Sequence, residues 1–80
     1  MGYHKNKISK GYYKEFSKIK EEFEELEDAY QQGDPILQLC EMADLIGAIE
    51  AYSIFYFGIG IEKIIDFNNK TKEAFKEGSR

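Results

Sequence analysis

Two pairs of carboxylates at helical spacing are the residues of this sequence best suited to chemistry. Glu22 and Glu25 form one pair, and Glu41 and Asp44 form the other. Residues three apart on a helix project from neighbouring points on one side, so each pair presents two carboxylates together. If the two helices fold back on each other, four carboxylates can converge. Oxygen-only clusters suit Mg²⁺ before Ca²⁺ or Mn²⁺, and they suit Zn²⁺ poorly when no Cys or His joins them.

A short turn can be located between the two acid-bearing segments. Gly33 suits the position just after a helix, Asp34 the N-cap of the next helix, and Pro35 its first turn. We therefore predict helices over residues 12–32 and 35–57, joined as an antiparallel hairpin. With about 1.5 Å of rise per residue, the two carboxylate pairs lie at similar distances from the turn. The hairpin should bring them side by side.

The apolar residues predict how these helices pack. In the first helix, apolar side chains recur at alternating intervals of four and three, which indicates a packed seam: Tyr12, Phe16, Ile19, Phe23, Leu26 and Tyr30. The second helix is apolar at nearly every position and should be buried on most sides. Burial would place Glu41 and Asp44 in a largely apolar setting, where unpaired carboxylates are costly unless a cation compensates them. One partner helix cannot cover the second helix, so we expect at least a homodimer.

The remaining segments complete a small all-α domain over residues 1–80. Residues 1–11 are polar without helical periodicity, and we interpret them as an arm. A third helix is predicted over residues 61–77, with lysines and asparagines on its polar face. The predicted architecture is an antiparallel helical hairpin plus a third helix, assembling into an oligomeric helical bundle. An isolated core of 80 residues is marginal, which also favours assembly or a metal.

Composition excludes several classes of protein. The single Cys40 rules out an intrachain disulfide and fits a reducing cytosol, where it is a small apolar residue rather than a catalytic thiol. The net charge of −4 argues against binding to a nucleic acid duplex. The polar N-terminus predicts no signal peptide. Polar residues interrupt the second helix, so we predict no membrane span: Gln38, Glu41, Asp44 and Glu50.

The order E-E-x-x-E, a spacer, then E-x-x-D resembles the signature of the all-α nucleoside triphosphate (NTP) pyrophosphohydrolase superfamily, particularly its MazG-like branch. Residues 4–11 and 68–75 are also similar to small MazG-like proteins of tailed phages. The resemblance implies hydrolysis of an NTP to the monophosphate and pyrophosphate. It also implies Mg²⁺ as cofactor, with Mn²⁺ as an alternative, and a homodimer or homotetramer. The expected location is the cytoplasm, which is the host cytoplasm if a phage encodes the protein.

The resemblance also implies roles for individual residues. The metal ligands would be Glu22, Glu25, Glu41 and Asp44. Glu21 and Glu22 would be catalytic, with Glu21 helping to orient water. Phosphates would be held by Lys18, Asn69, Lys72 and Lys76. For Lys18 alone, its spacing to Glu22 favours a helix-surface ion pair over phosphate binding.

Two departures and two alternatives accompany this interpretation. Ala43 stands before the motif aspartate where the family often has glycine, a small change. The chain is short, so a base pocket would borrow residues from a neighbouring subunit.

One alternative is a nucleotide-binding protein without turnover, such as a phage sponge for a signalling nucleotide. The other is a helical oligomer whose acids are merely solvated. Retention of all five motif acids favours the enzyme.

Overall fold

Three helices make up the protein in the computed structural model, which describes residues 4–76. They are α1 (Phe16–Gln32), α2 (Pro35–Phe57) and α3 (Ile61–Lys76). The described chain is therefore all-α, as predicted. The range predicted for the second helix coincides with α2. Residue 77, the predicted end of the third helix, and residues 1–3 of the arm lie outside the described residues.

The turn between α1 and α2 is formed by the residues that the sequence indicated. Gly33 ends α1 in the left-handed conformation with φ 69°, which side chains other than glycine adopt at a cost. The side chain of Asp34 accepts a hydrogen bond of 3.0 Å from the backbone N–H of Leu37, and Pro35 is the first residue of α2. The predicted capping is confirmed, and α1 packs along α2 as a hairpin.

The start of α1 differs from the prediction. The helix begins at Phe16, not at residue 12. A turn precedes it, in which the N–H of Glu15 donates to the carbonyl of Tyr12 at 2.9 Å. Lys14 in this turn has a positive φ of 75°, which a right-handed helix cannot contain. Apolar spacing continued through Tyr12, but it carries no information about such a left-handed residue.

The face of α1 that packs against α2 is mostly acidic, and it is not the apolar seam predicted for the first helix. Its buried residues are mostly acidic: Glu21, Glu22, Asp28 and Ala29. Of the predicted seam, Phe16 is 63% exposed and Tyr30 is 71% exposed. The buried residues of α2 are small apart from one acid: Glu41, Ala48, Ala51 and Ser53. Within one chain, the hairpin therefore packs an acidic and alanine-lined face, and most of the apolar seam predicted for the first helix is exposed.

Most large side chains of α2 are exposed in the isolated chain, where burial on most sides was predicted. The exposed residues with large apolar side chains are Ile36, Leu39, Met42, Ile46, Ile54, Phe55, Tyr56 and Phe57. Asp44 is exposed as well, while Glu41 is buried. Both α1 and α3 pack against α2, but together they leave these apolar side chains exposed within the described chain.

The third helix stands apart from the hairpin turn. It packs only against α2, and no described residues of α1 and α3 are in contact. The N–H of Ile61 donates to Glu50 at 3.4 Å, which joins the start of α3 to α2. In the described range, no single helix is long and apolar enough to cross a membrane. Residues Pro35–Phe57 and Ile61–Ala74 pass that test only as a pair bent by 102°, by length and composition alone.

Candidate metal centre

The hairpin brings the four predicted carboxylates together. Each of Glu22, Glu25, Glu41 and Asp44 offers one oxygen, and these oxygens all lie within 4.8 Å of one another. The three-residue spacing places each pair on one side of its helix, and the Gly33 turn brings the pairs to the same height. A cluster of four carboxylate oxygens is the donor set that hard divalent cations prefer.

Two of these carboxylates are buried without full hydrogen bonding. Glu22 is 8% exposed and Glu41 is 5% exposed. The Oε1 atom of each has no hydrogen-bond partner among the residues that the structure describes. A buried polar atom without a partner is costly, so these two oxygens indicate that something else completes the cluster. Asp44, by contrast, is exposed at the edge of the cluster, which corrects the expectation that it is buried.

Electrostatics within the cluster disfavours the ionised carboxylates. Burial, followed by the neighbouring Glu25, raises the pKa of Glu22, although Lys18 opposes the shift. Burial also raises the pKa of Glu25, and Glu41 adds to that effect. A divalent cation would reverse both shifts, because its charge stabilises the ionised form of every carboxylate around it.

Lys18 and Glu21 form an ion pair beside the cluster. The Nζ atom of Lys18 lies 3.0 Å from Glu21 Oε1 and 3.5 Å from Glu22 Oε2. The N–H of Gly11 donates to the same Oε1 of Glu21 at 2.8 Å. Burial alone would raise the pKa of Glu21, but Gly11 and Lys18 hold it below its usual value. Oε1 of the buried Glu21 therefore has two partners, whereas Oε1 of Glu22 has none among the described residues.

The arm lies on the acidic face of α1, where Asp28 accepts hydrogen bonds from it. This carboxylate accepts hydrogen bonds from His4 Nδ1 at 2.9 Å and from the backbone N–H groups of Lys5 at 3.1 Å and Asn6 at 3.2 Å. The side-chain amide of Asn6 adds a fourth at 2.6 Å. Asp28 is only 2% exposed. No role for Asp28 was predicted from the sequence, because contacts between an irregular arm and a helix leave no periodic signal.

His4 lies beside the acids and forms a second group of potential ligands with Glu25 and Glu41, which was not predicted from the sequence. Its Nε2 atom lies 3.1 Å from Glu41 Oε2 and 3.8 Å from Glu25 Oε1. Burial alone would lower the pKa of His4, but the hydrogen bond to Asp28 and the charges of Glu41 and Glu25 raise it. The available signal was weak: His4 is the single histidine of the sequence, within a polar arm.

Open clefts lie on both sides of Lys18 and Glu22. One has a volume of about 440 Å³ and is lined by His4, Asn6, Ile8, Lys10, Lys18, Glu21, Glu22, Glu25 and Glu41. The other has a volume of about 330 Å³ and is lined by Tyr13, Lys18, Glu22, Ala43, Asp44, Gly47, Ala48 and Glu50. Clefts of this size can hold small ligands.

Only one of the four predicted phosphate-binding residues lies at the clefts. Lys18 lines both clefts. Asn69, Lys72 and Lys76 are exposed on α3 and line neither of them. Within one described chain, α3 does not reach α1, so these three side chains could meet the acids only from a neighbouring subunit.

Comparison with known proteins gives the family. The model of the phosphoribosyl-ATP pyrophosphohydrolase family matches residues 2–73, which include both acid-bearing helices and most of the arm. Neither the curated proteins nor the solved structures gave a match. The family consists of all-α, MazG-like NTP pyrophosphohydrolase domains, as the motif resemblance implied, and it points to pyrophosphohydrolase activity on nucleotides. Since the match extends over most of its length, the chain belongs to the phosphoribosyl-ATP pyrophosphohydrolase family.

Proposed function

We propose that the protein hydrolyses a nucleoside triphosphate to the monophosphate and pyrophosphate with Mg²⁺. The observation that carries this proposal is the convergence of four carboxylates, two of which have a buried oxygen without a described partner. Such a cluster suits Mg²⁺ and, with similar oxygen donors, Mn²⁺. Membership of a nucleotide pyrophosphohydrolase family supports the reaction type.

The cation would be held by Glu22, Glu25, Glu41 and Asp44. When bound, it would neutralise phosphate charge and lower the pKa of a coordinated water. Asp44 is exposed and lines the second cleft, while Glu41 lines the first, so the residues that would hold the cation face both clefts. A triphosphate could then reach it from either side.

Lys18, Glu21 and Glu22 would act on the phosphates and the attacking water. Lys18 lies between the clefts and can exchange its ion pair with Glu21 for a phosphate oxygen. Glu21 stays ionised and is held by the Gly11 N–H, so it can accept a hydrogen bond from water and orient it. Glu22 would hold the cation and could also accept the proton of that water.

We further propose that the active form is a homodimer or homotetramer. Leu39, Met42 and Ile46 lie at spacings of three and four on α2, are all exposed, and form an apolar face. Large apolar patches of this kind are typical of protein interfaces. A second copy is the partner of matching chemistry, because α1 exposes its own apolar seam. Its α3 would also be the source of Asn69 and of the neighbouring lysines for phosphate binding.

The test is pyrophosphate release from a panel of substrates with Mg²⁺. The panel contains the common ribonucleoside and deoxyribonucleoside triphosphates and phosphoribosyl-ATP, and it names the base and sugar preferred. Glu41→Gln removes one buried carboxylate and should lower turnover by at least about 100-fold. Glu27→Gln, at an exposed acid on the same hairpin, is the matched control and should leave turnover unchanged.

Two results would change the proposal. Unaltered turnover in Glu41→Gln would remove the site assignment. A flat panel with folded protein, together with an intact nucleotide recovered from it, would favour the binding protein without turnover. The hydrolase and the binding protein would have the same fold, so the measurement distinguishes hydrolysis of the nucleotide from binding alone.

A further inference from the structure

The geometry points to a second cation position, in which His4 of the arm is a ligand together with Glu25 and Glu41. The inference rests on the proposed function only in that Glu25 and Glu41 also belong to the four-carboxylate cluster. A set of one imidazole nitrogen and two carboxylate oxygens suits divalent transition metals such as Zn²⁺. Mg²⁺ prefers oxygen donors, so the two positions differ in the metal that they select.

The His4 ring is already oriented for ligation. Its Nδ1 atom lies 2.9 Å from Asp28 Oδ2, a buried carboxylate that also holds two backbone N–H groups of the arm. With Nδ1 donating to Asp28, the other nitrogen, Nε2, faces Glu25 and Glu41. Histidines that bind metals almost always donate their second ring N–H to a carboxylate, carbonyl or water, which fixes the ring. Asp28 is thus a positioning residue for His4.

The three donors are about as far apart as ligands of one ion, which would replace the direct hydrogen bond between His4 Nε2 and Glu41 Oε2. Nε2 of His4 lies 3.1 Å from Glu41 Oε2 and 3.8 Å from Glu25 Oε1. Ligands about 2.0–2.2 Å from a tetrahedral Zn²⁺ are about 3.3–3.5 Å apart, which falls between the two values. All three donors lie within 4.8 Å of one another.

A buried oxygen on one of these donors also points to a ligand. Oε1 of Glu41 has no hydrogen-bond partner among the described residues, and Glu41 is 5% exposed. Glu41 therefore has one oxygen directed at His4 and a second that remains available. A carboxylate with this arrangement can bridge two cations, one in each position. Zn²⁺ would replace the proton on Nε2 of His4, and that proton would leave to solvent.

The experiment uses the untagged full chain, labelled with ¹⁵N in the histidine ring. His4 is the single histidine, so every ring signal belongs to it. On titration with Zn²⁺, the Nε2 resonance should move to the position of a metal-bound nitrogen while Nδ1 stays protonated. Mg²⁺ should raise the melting temperature without producing that change. If Zn²⁺ binds by calorimetry and both ring nitrogens keep their shifts, the inference is overturned.

Variants separate ligation from mere attachment of the arm. His4→Gln should weaken Zn²⁺ binding by at least 10-fold and leave Mg²⁺-induced stabilisation in place. Asp28→Asn should weaken Zn²⁺ binding by about 10- to 100-fold, as expected for loss of a carboxylate behind a ligating histidine. Lys7→Ala, at an exposed residue of the same arm, is the control and should bind Zn²⁺ normally. Equal Zn²⁺ affinity in His4→Gln and the unaltered protein would also overturn the inference.

This outcome is independent of the proposed hydrolase. Turnover with Mg²⁺ that is lost in Glu41→Gln, together with a His4 ring unaffected by Zn²⁺, would retain the enzyme and exclude the second position. A Zn²⁺-induced shift at Nε2 without turnover on any nucleotide would retain the position and exclude the enzyme.

Discussion

Two kinds of buried carboxylate lie along the inner face of α1. Asp28 and Glu21 have their hydrogen bonds satisfied within the chain, and each has a pKa below its usual value. Glu22 has an oxygen without a described partner, and its pKa is raised. The first kind stabilises the fold, whereas the second kind lowers the stability of the metal-free protein. Only the second kind has a reason to bind a cation.

We therefore expect Glu22→Gln to stabilise the metal-free protein. A neutral amide of the same shape removes the cost of burying a charge whose surroundings disfavour ionisation, and the gain should be about 1 kcal/mol. For a domain of this size, that raises the melting temperature by about 4–8 °C. Thermal unfolding in the presence of a chelator measures the effect. The same variant should lose most of the stabilisation that Mg²⁺ gives the unaltered protein.

Glu27→Gln provides the comparison for this change. Glu27 is exposed on α1, and its replacement should shift stability by less than about 0.5 kcal/mol. If Glu22→Gln unfolded at a lower temperature than the unaltered protein in chelator, the ion pair of Lys18 with Glu22 would outweigh the cost of burial. The conclusion that burial of the Glu22 carboxylate destabilises the metal-free protein would then be wrong.

The four clustered acids could be found from the sequence because their spacing matches one turn of a helix. The turn could also be predicted from the sequence, because its residues have strong preferences for helix ends: Gly33, Asp34 and Pro35. His4 and Asp28 could not be found in this way. Their contact joins an irregular arm to a helix, and it depends on the path of the arm, which no local pattern encodes.

At the scale of the elements, the arm contacts both helices of the hairpin through His4. Its attachment should depend on pH. Burial would raise the pKa of Asp28, but hydrogen bonds from His4, Gln32 and the arm amides lower it from 3.8 to about 2. This contribution to stability is present above about pH 4 and is lost as the pH falls towards 2. The pKa of His4 is raised above 6.5, so its contribution is complete below that value and is lost as the pH rises through the raised pKa.

Attachment of the arm should therefore be strongest between about pH 4 and 6.5 in the metal-free protein. Amide hydrogen exchange at Lys5 and Asn6, whose N–H groups donate to Asp28, measures it, with amides of α2 as the internal reference. Asp28→Asn should abolish the loss of protection on the acid side. Protection at Lys5 that is unchanged from pH 3 to pH 9 would show that Asp28 and His4 do not hold the arm.

The helices themselves illustrate the limit of apolar periodicity. The apolar spacing from Tyr12 to Tyr30 predicts a packed face of α1, but α1 faces α2 with its acids and Ala29. A periodic stripe identifies a face that avoids water and does not identify the partner that covers it. The same limitation applies to α2, whose apolar residues extend around most of its circumference.

For the whole molecule, the exposed apolar faces predict assembly. Ile46→Glu places a charge in the middle of the exposed face of α2, and it should dissociate the oligomer to a chain of 9.3 kDa. Light scattering at low micromolar concentration measures the mass. Gln31→Glu adds the same charge at an exposed polar position of α1 and should leave the assembly intact. A monomeric unaltered protein would contradict the proposed homo-oligomer.

The path of the arm also has a consequence for the order of folding. During synthesis, the arm leaves the ribosome before either of the helices that bind it. His4 contacts Asp28 of α1 and Glu41 of α2, so it cannot make both contacts until both helices of the hairpin have been made. Docking of the arm should thus follow formation of the hairpin, because its contacts close loops that span 24 and 37 residues. A fluorescent probe on the arm would then report completion of the hairpin rather than its beginning.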